Sequence, residues 1–211
     1  MHNQVSFSPV ILHIPHSSAF IPEEYRRSFF CDPSHELAVM TDLYTDELFA
    51  CGHEAVVFPI SRLICDVERF RDDKYESMSA RGMGAVYTKC HDGKALRSIM
   101  PGERESILCK WYDPHHAALE AQVEKRLDAF GRCIVIDCHS FSPTPLPHEP
   151  DQCPDRPDSA SGQTCSTRLT VLRTRRSPPL NPKDIPSKRT VRLQARWCRY
   201  VIIARKTASR R

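Results

Sequence analysis

The sequence predicts an α/β fold in which helices flank a mostly parallel sheet. Short continuous apolar runs at 10–14 and 133–136 are bounded by turn-forming residues, which is typical of strands buried on both faces. Between these runs lie segments in which apolar residues recur at helical spacing. An alternation of strands and helices along a chain indicates a parallel sheet.

Four strands are expected, and three of them end in polar residues. The first leads to His16 and the last leads to Asp137 and His139. Side chains two apart on a strand share a face, so Asp137 and His139 point the same way and Cys138 points the other way. The expected strands cover 10–14, 54–59, 61–69 and the run from 133 to His139.

Two helices are expected between the strands. The first begins at Ser34 and continues to Cys51, with Asp42 on its polar, ordinarily solvated face. The second begins at Asp113, where a proline at the next position favours a helix start, and ends at Gly131. Residues 70–101 show no periodicity and are expected to form a long ordered loop over the site.

Charge divides the 211 residues into two parts. Residues 1–150 hold 15 Lys+Arg against 22 Asp+Glu, a net charge of −7, whereas residues 151–211 hold 15 Lys+Arg against 4 Asp, a net charge of +11. All ten His and all nine Phe lie in the first part. We therefore predict an α/β core at 1–150 and a basic Arg/Ser/Pro-rich tail at 151–211, which is too charged to fold alone.

The composition bounds the cellular setting. No apolar run approaches the length of a membrane span, and the N-terminus lacks the pattern of a signal peptide. The ten cysteines include no Cys-x-x-Cys pair, which argues against a zinc ribbon or a thioredoxin motif. These features predict a cytoplasmic protein with reduced cysteines and no membrane partner.

The ends of the predicted strands carry residues suited to metal chemistry. Ligands of open α/β sheets bind just beyond the carboxyl ends of the strands. Two histidines and a carboxylate there would bind zinc and leave a fourth position open for water. An arginine nearby would bind a substrate carboxylate through two hydrogen bonds. These residues alone are compatible with two interpretations. The chain is either a metal hydrolase that acts on an acidic small molecule or a binding domain without metal.

Five motifs add a resemblance to a known family. They are His13-Ile-Pro-His16-Ser, Thr41-Asp42-Leu-Tyr-Thr-Asp46-Glu-Leu-Phe49, Ser61-Arg62-Leu-Ile-Cys-Asp66-Val-Glu-Arg69, Trp111-Tyr-Asp-Pro114-His115-His-Ala-Ala-Leu119 and Ile136-Asp137-Cys-His139-Ser. In this order, over about residues 10–158, the chain resembles the N-formylglutamate amidohydrolase family. The resemblance implies a phosphorylase/hydrolase-like fold similar to zinc carboxypeptidases and aspartoacylase. It also implies zinc-assisted hydrolysis of N-formylglutamate to glutamate and formate, a step of histidine degradation.

The resemblance also implies metal ligands. His16 and His139 are the expected zinc ligands. The carboxypeptidase relatives use a Glu three residues after the first His, where this chain has Ala19. Asp42 is the preferred third ligand, because the family keeps an acidic residue there, and Glu23 is the alternative.

The remaining roles concern the substrate. Arg69 matches the Arg of an Asp-x-Asn-Arg motif that holds the substrate carboxylate in aspartoacylase-like enzymes, and Arg62 would add a second positive charge. Glu68 replaces the Asn of that motif and would repel an acidic substrate. Asp137 is the expected catalytic carboxylate, orienting or tuning the site from behind the ligands.

The tail departs from the family pattern. Related enzymes use a late Glu as general base, whereas residues 150–211 contain no Glu. One hypothesis is that the tail is a frame-shifted translation, which leaves the core incomplete and the chain inactive; a nucleotide sequence with no other frame encoding family-like strands and a Glu would exclude it. The alternative is a non-catalytic α/β protein whose basic tail binds nucleic acid or acidic partners.

Overall fold

The computed structural model describes residues 6–142, 144–149, 152–153, 159–162 and 196–205. Strands and helices alternate over the first part of the chain, and two further strands lie in the predicted tail. The strands are β1 (Ser6–Ile14), β2 (His53–Val57), β3 (Arg132–Phe141), β4 (Ser159–Gly162) and β5 (Arg196–Arg205). The helices are α1 (Glu23–Arg26), α2 (Ser34–Met40), α3 (Thr45–Leu48), α4 (Glu103–Ile107) and α5 (Asp113–Phe130).

The strands form one sheet in the order β2-β1-β3-β5-β4. β1 pairs in parallel with both β2 and β3, β4 pairs in parallel with β5, and only β3 and β5 are antiparallel. The predicted α/β class with a mostly parallel sheet is therefore confirmed. The register of β1 and β3 sets His13 beside Asp137.

The central strands are buried on both faces, which explains their continuous apolar sequences. On one face, Ile11 and Val135 pack against α5 through Leu119 and Val123. On the other face, Cys138 packs with Leu12, Ile14 and Phe49. Cys138 thus lies opposite Asp137 and His139, as strand alternation predicts.

The prediction of one continuous helix from Ser34 to Cys51 is wrong. α2 ends at Met40, and the chain turns through Tyr44, whose backbone is left-handed (φ 65°), before α3 begins. Bonds outside the helix compensate for the interruption, because the Asp42 N–H donates to the His16 carbonyl (2.9 Å) and the Thr45 hydroxyl donates to the Asp42 carbonyl (2.7 Å). Asp42 is consequently buried instead of lying on a solvated face.

The predicted strand at 61–69 is also wrong. This segment consists of turns, closed by hydrogen bonds from the backbone N–H groups of Ile64 and Cys65 to the Ser61 carbonyl. Its apolar residues pack into two cores formed by side chains of loops and helices instead of joining the sheet. The following stretch, 70–101, is an ordered loop as predicted, with short 3₁₀ helices at Asp73–Tyr75 and Ser77–Arg81.

The last helix begins earlier than predicted. α4 continues through a π-helical turn at Leu108–Tyr112 directly into α5, so Asp113 is not an N-cap. Pro114 removes the hydrogen bond to the carbonyl four residues earlier, and the widened turn lies at that point. The predicted end is confirmed, because Gly131 adopts the left-handed conformation (φ 67°) that ends helices.

The sequence did not predict β4 and β5, which lie within the basic tail. Most of the remaining tail, and with it the frame-shift hypothesis, lies outside the described residues. Among the helices that the structure describes, none is long and apolar enough to cross a membrane.

The buried Arg97 joins two loop segments, and its replacement tests how strongly they depend on each other. Its Nε donates to the Tyr87 carbonyl (3.0 Å) and its Nη2 to the Ile64 carbonyl (2.9 Å). We expect Arg97→Met to lower the free energy of unfolding by about 2–5 kcal/mol, because two buried carbonyls lose their donors. Urea unfolding measures this change, with Arg132→Met at an exposed position as the control, for which about 0.5 kcal/mol or less is expected. Equal effects of the two substitutions would contradict this role of Arg97.

Candidate metal centre

Three side chains meet at the carboxyl ends of β1 and β3. His16 follows β1, His139 lies near the end of β3, and Glu68 comes from the turn segment after Ser61. Their ligand atoms all lie within 4.8 Å of one another. Both histidines are buried, whereas Glu68 is exposed, so the cluster opens to solvent on the Glu68 side.

The two nitrogens of His16 have different surroundings. Nε2 lies 2.9 Å from Oδ1 of Asp66. Nδ1 is buried and has no hydrogen-bond partner among the described residues, and it lies 3.4 Å from Oε2 of Glu68. The carboxylate fixes the proton of the ring on Nε2, which leaves the lone pair of Nδ1 directed at the cluster.

His139 repeats this arrangement with its nitrogens exchanged. Nδ1 lies 2.9 Å from Oδ2 of Asp42, and Nε2 lies 2.9 Å from Oε1 of Glu68. The backbone N–H of Ser140 also donates to Asp42 (3.2 Å). Each histidine therefore has a carboxylate behind it and Glu68 in front, which is the usual environment of metal-binding histidines.

The cluster carries more negative than positive charge. Burial alone would lower the pKa of His139, but Glu68, Asp137 and Asp42 raise the pKa well above its ordinary value. A partly buried site with several carboxylates favours a bound cation. The donor set of two imidazoles and one carboxylate, together with the unpartnered Nδ1 of His16, therefore fits a divalent metal ion.

Asp66 holds the turn segment in place. It is fully buried, and its Oδ2 accepts hydrogen bonds from Arg62 Nη2 (2.7 Å) and the Tyr87 hydroxyl (2.8 Å). Its Oδ1 accepts from the backbone N–H of Glu68 (3.1 Å) in addition to His16. Burial opposes ionisation of Asp66, but Arg62, His16 and Arg69 hold the pKa of the carboxyl well below its usual range.

Asp137 lies between two histidines. Its Oδ1 is 2.7 Å from Nδ1 of His13, and its Oδ2 is 3.5 Å from Nε2 of His139. Burial would raise the pKa of Asp137, but His13 and His139 hold the pKa well below its usual range. The ionised carboxylate thus lies beside His139 of the candidate metal centre.

The two expected substrate arginines differ in their surroundings. Arg62 forms two hydrogen bonds with Asp66, through Nε (3.2 Å) and Nη2 (2.7 Å). Arg69 is more exposed, and its guanidinium lies 3.5 Å from Asp66 and 3.9 Å from Glu76.

The alternative third ligand, Glu23, lies outside the cluster. Its exposed side chain pairs with Arg26 on the surface of α1. Glu68, by contrast, contacts both histidines, although its position in the sequence suggested only a charge that repels the substrate. One feature of the sequence could have indicated this role. Glu68 lies two residues after Asp66, inside a motif that already supplied candidate site residues.

The sheet is mostly parallel and has buried histidines and carboxylates at the ends of its strands. These features define the chain as an α/β protein with a candidate metal centre. The family model for N-formylglutamate amidohydrolase matches residues 8–177. The chain belongs to this family, and the match continues past Asp158, the expected end of the resemblance.

A solved structure supports the same fold. The chain is similar to the crystal structure of N-formylglutamate amidohydrolase from Ralstonia eutropha JMP134 at 2.00 Å resolution, with a TM-score of 0.57 and 20% sequence identity. The likeness covers 64% of this chain and 54% of that chain, so the present chain spans about half the length of that relative. At this identity the likeness shows the fold alone. No curated protein matches the chain.

Asp66→Asn tests how far the fold depends on this carboxylate. At pH 7 we expect a loss of about 3–5 kcal/mol in the free energy of unfolding, because Arg62 and His16 lose a buried charged partner. The lowered pKa of Asp66 means that the folded state binds fewer protons than the unfolded state. The contribution of Asp66 to the free energy of unfolding is therefore fully present above about pH 4, near the pKa of an Asp in the unfolded chain. This contribution decreases as the pH falls further.

Urea unfolding at several pH values measures both effects. The difference between the wild-type chain and Asp66→Asn should decrease below about pH 4. Asp92→Asn is the control, since Asp92 pairs with Lys94 near the surface, and we expect it to leave the free energy of unfolding nearly unchanged. A difference that stays constant over the acid range would contradict the assignment.

Proposed function

We propose that the chain is a zinc-dependent hydrolase that converts N-formylglutamate and water to glutamate and formate. The observation that carries the proposal is the unpartnered Nδ1 of the buried His16, directed at Glu68 and His139 in a chain of the N-formylglutamate amidohydrolase family. Within this proposal the reaction belongs to histidine degradation and takes place in the cytoplasm.

In this proposal the zinc ligands are His16 Nδ1, His139 Nε2 and a carboxylate oxygen of Glu68. Asp42 and Asp66 bind the opposite nitrogens of the two histidines, which favours an orienting role for Asp42 instead of the ligand role that the sequence suggested. Three protein ligands leave one position for water, as in catalytic zinc sites.

Glu68 as a ligand also removes the charge conflict noted in the sequence. A carboxylate that neutralises part of the charge of a metal ion no longer repels the substrate as a free charge would. Arg69 is the proposed partner of the substrate carboxylate, because it is the more exposed of the two arginines. Arg62 serves this site indirectly through its two hydrogen bonds with Asp66.

The chemistry needs a group that accepts a proton from the attacking water. A bound zinc ion would lower the pKa of its water and polarise the acyl oxygen. Asp137 is the proposed acceptor, because its Oδ2 lies 3.5 Å from Nε2 of His139, beside the proposed zinc ligands. It would take the place of the late Glu that residues 150–211 lack.

Formate release from N-formylglutamate by the purified chain with added zinc tests the proposed activity. We expect turnover by the wild-type chain and its loss in His139→Ala, because a ligand is removed from the metal. His35→Ala, at an exposed position outside the cluster, should keep the wild-type rate. Zinc bound without turnover would contradict the hydrolase and indicate a non-catalytic relative.

The identity of the third ligand is tested by comparing Glu68→Ala with Asp42→Ala. We expect Asp42→Ala to weaken zinc binding by about 10- to 100-fold, the usual effect of a partner behind a ligand. Glu68→Ala should weaken it more, because a bond to the metal is lost. Titration against a competing chelator gives both affinities, and the reverse order would assign the ligand role to Asp42.

A further inference from the structure

Two side chains at the start of α5 bind the backbone on either side of Glu68. Nε2 of His116 donates to the Val67 carbonyl (2.8 Å), and the Tyr112 hydroxyl donates to the Arg69 carbonyl (2.9 Å). A carbonyl oxygen only accepts hydrogen bonds, so the two side chains must be the donors. The residue that contacts both histidines of the candidate metal centre is therefore bonded to the helix through both of its neighbours.

The helix presents these two donors side by side. Tyr112 ends the π-helical turn and His116 lies in the first turn of α5, four residues later, so both side chains share one face. Their ring centroids are 4.2 Å apart, and Tyr112 is buried. Both belong to the motif at 111–119, whose residues lie outside the candidate metal centre. Widened turns of this kind are frequent at functional sites.

The N–H groups of the same two peptide units are bonded as well. The Glu68 N–H shares a peptide unit with the Val67 carbonyl and donates to Oδ1 of Asp66 (3.1 Å). In the other peptide unit, the Phe70 N–H donates to Oε2 of the buried Glu76 (2.8 Å). Each unit is thus bonded at its carbonyl by a side chain of the helix and at its N–H by a carboxylate of the loop.

These bonds replace the support that regular secondary structure gives to other site residues. Glu68 is exposed and comes from a segment of turns, yet its carboxylate contacts His16 and His139. A peptide unit is planar, and each residue has only two free backbone rotations. Fixing the planes before Glu68 and after Arg69 therefore restricts the direction in which the Glu68 side chain leaves the backbone.

We propose that Tyr112 and His116 are positioning residues that hold the backbone of Glu68 and thereby direct its carboxylate at the two histidines. They act through the carbonyls of Val67 and Arg69. The consequence for zinc rests on the proposed function, in which Glu68 is a ligand. The restraint on the backbone exists in the metal-free chain and is measured without zinc or activity.

Amide hydrogen exchange of the full, metal-free chain, followed by NMR, measures this restraint. We expect the N–H groups of residues 68–70 to exchange about tenfold faster in His116→Phe and Tyr112→Phe, because local opening becomes easier. Trp111→Phe is the control, since Trp111 donates its Nε1–H to Tyr25 (3.1 Å) in the same helix, and it should leave these rates unchanged. Unchanged rates in both variants, or an equal acceleration in β1 that reports general destabilisation, would overturn the proposal.

Zinc affinity, measured against a competing chelator, separates positioning from packing. We expect His116→Phe to weaken zinc binding by about tenfold, the lower end of the effect of partners behind metal ligands. His116→Gln retains an N–H donor and should recover most of the affinity. In a Glu68→Ala background, His116→Phe should have little further effect, because the ligand that it positions is gone. Losses that add in the double variant would overturn the positioning role.

This proposal and the proposed function fail in different ways. A wild-type chain that binds no zinc would refute the proposed metal centre, and hydrogen exchange would still decide whether the helix holds the backbone at 68–70. If His116→Phe does not fold, Tyr112→Phe decides, because it removes one hydroxyl and keeps the ring. Exchange rates of the wild-type chain in that variant would overturn the proposal.

Discussion

The site depends on the burial of one carboxylate, Asp66, inside a segment without regular secondary structure. A fully buried charge is costly unless several donors surround it. Arg62, Tyr87 and His16 supply these donors, and the backbone N–H of Glu68 adds another. The same bonds fix the ring of His16 and direct Glu68 toward the histidines. The position of the turn segment and the geometry of the candidate metal centre therefore have one cause.

The buried strands of the sheet support the polar site at their ends. β1 and β3 are buried on both faces, which makes their ends rigid supports for His16 and His139. The carboxylates around these histidines concentrate negative charge where a cation would neutralise it. Such a polar network is unfavourable in a hydrophobic core, and it is tolerated here because each carboxylate is paired.

The sequence predicted the sheet and the two histidines because short apolar runs followed by polar residues are a local signal. It did not predict the position of Asp42, because the break after α2 depends on a bond from the Asp42 N–H to the His16 carbonyl. A strand was also predicted at 61–69, because apolar residues around a buried ion pair show no distinctive periodicity in the sequence. The place of Glu68 in the cluster was missed because it depends on contacts with histidines that are distant in sequence.

X-ray absorption at the zinc edge of the zinc-loaded chain would test the proposed zinc ligands, because it identifies the atoms around the metal. We expect two imidazole nitrogens, from His16 and His139, and carboxylate or water oxygens, including an oxygen of Glu68, at about 2.0–2.2 Å from the zinc ion. Sulfur scattering at about 2.3 Å would indicate cysteine ligands instead. That result, or a spectrum without imidazole, would contradict the metal centre described for this chain.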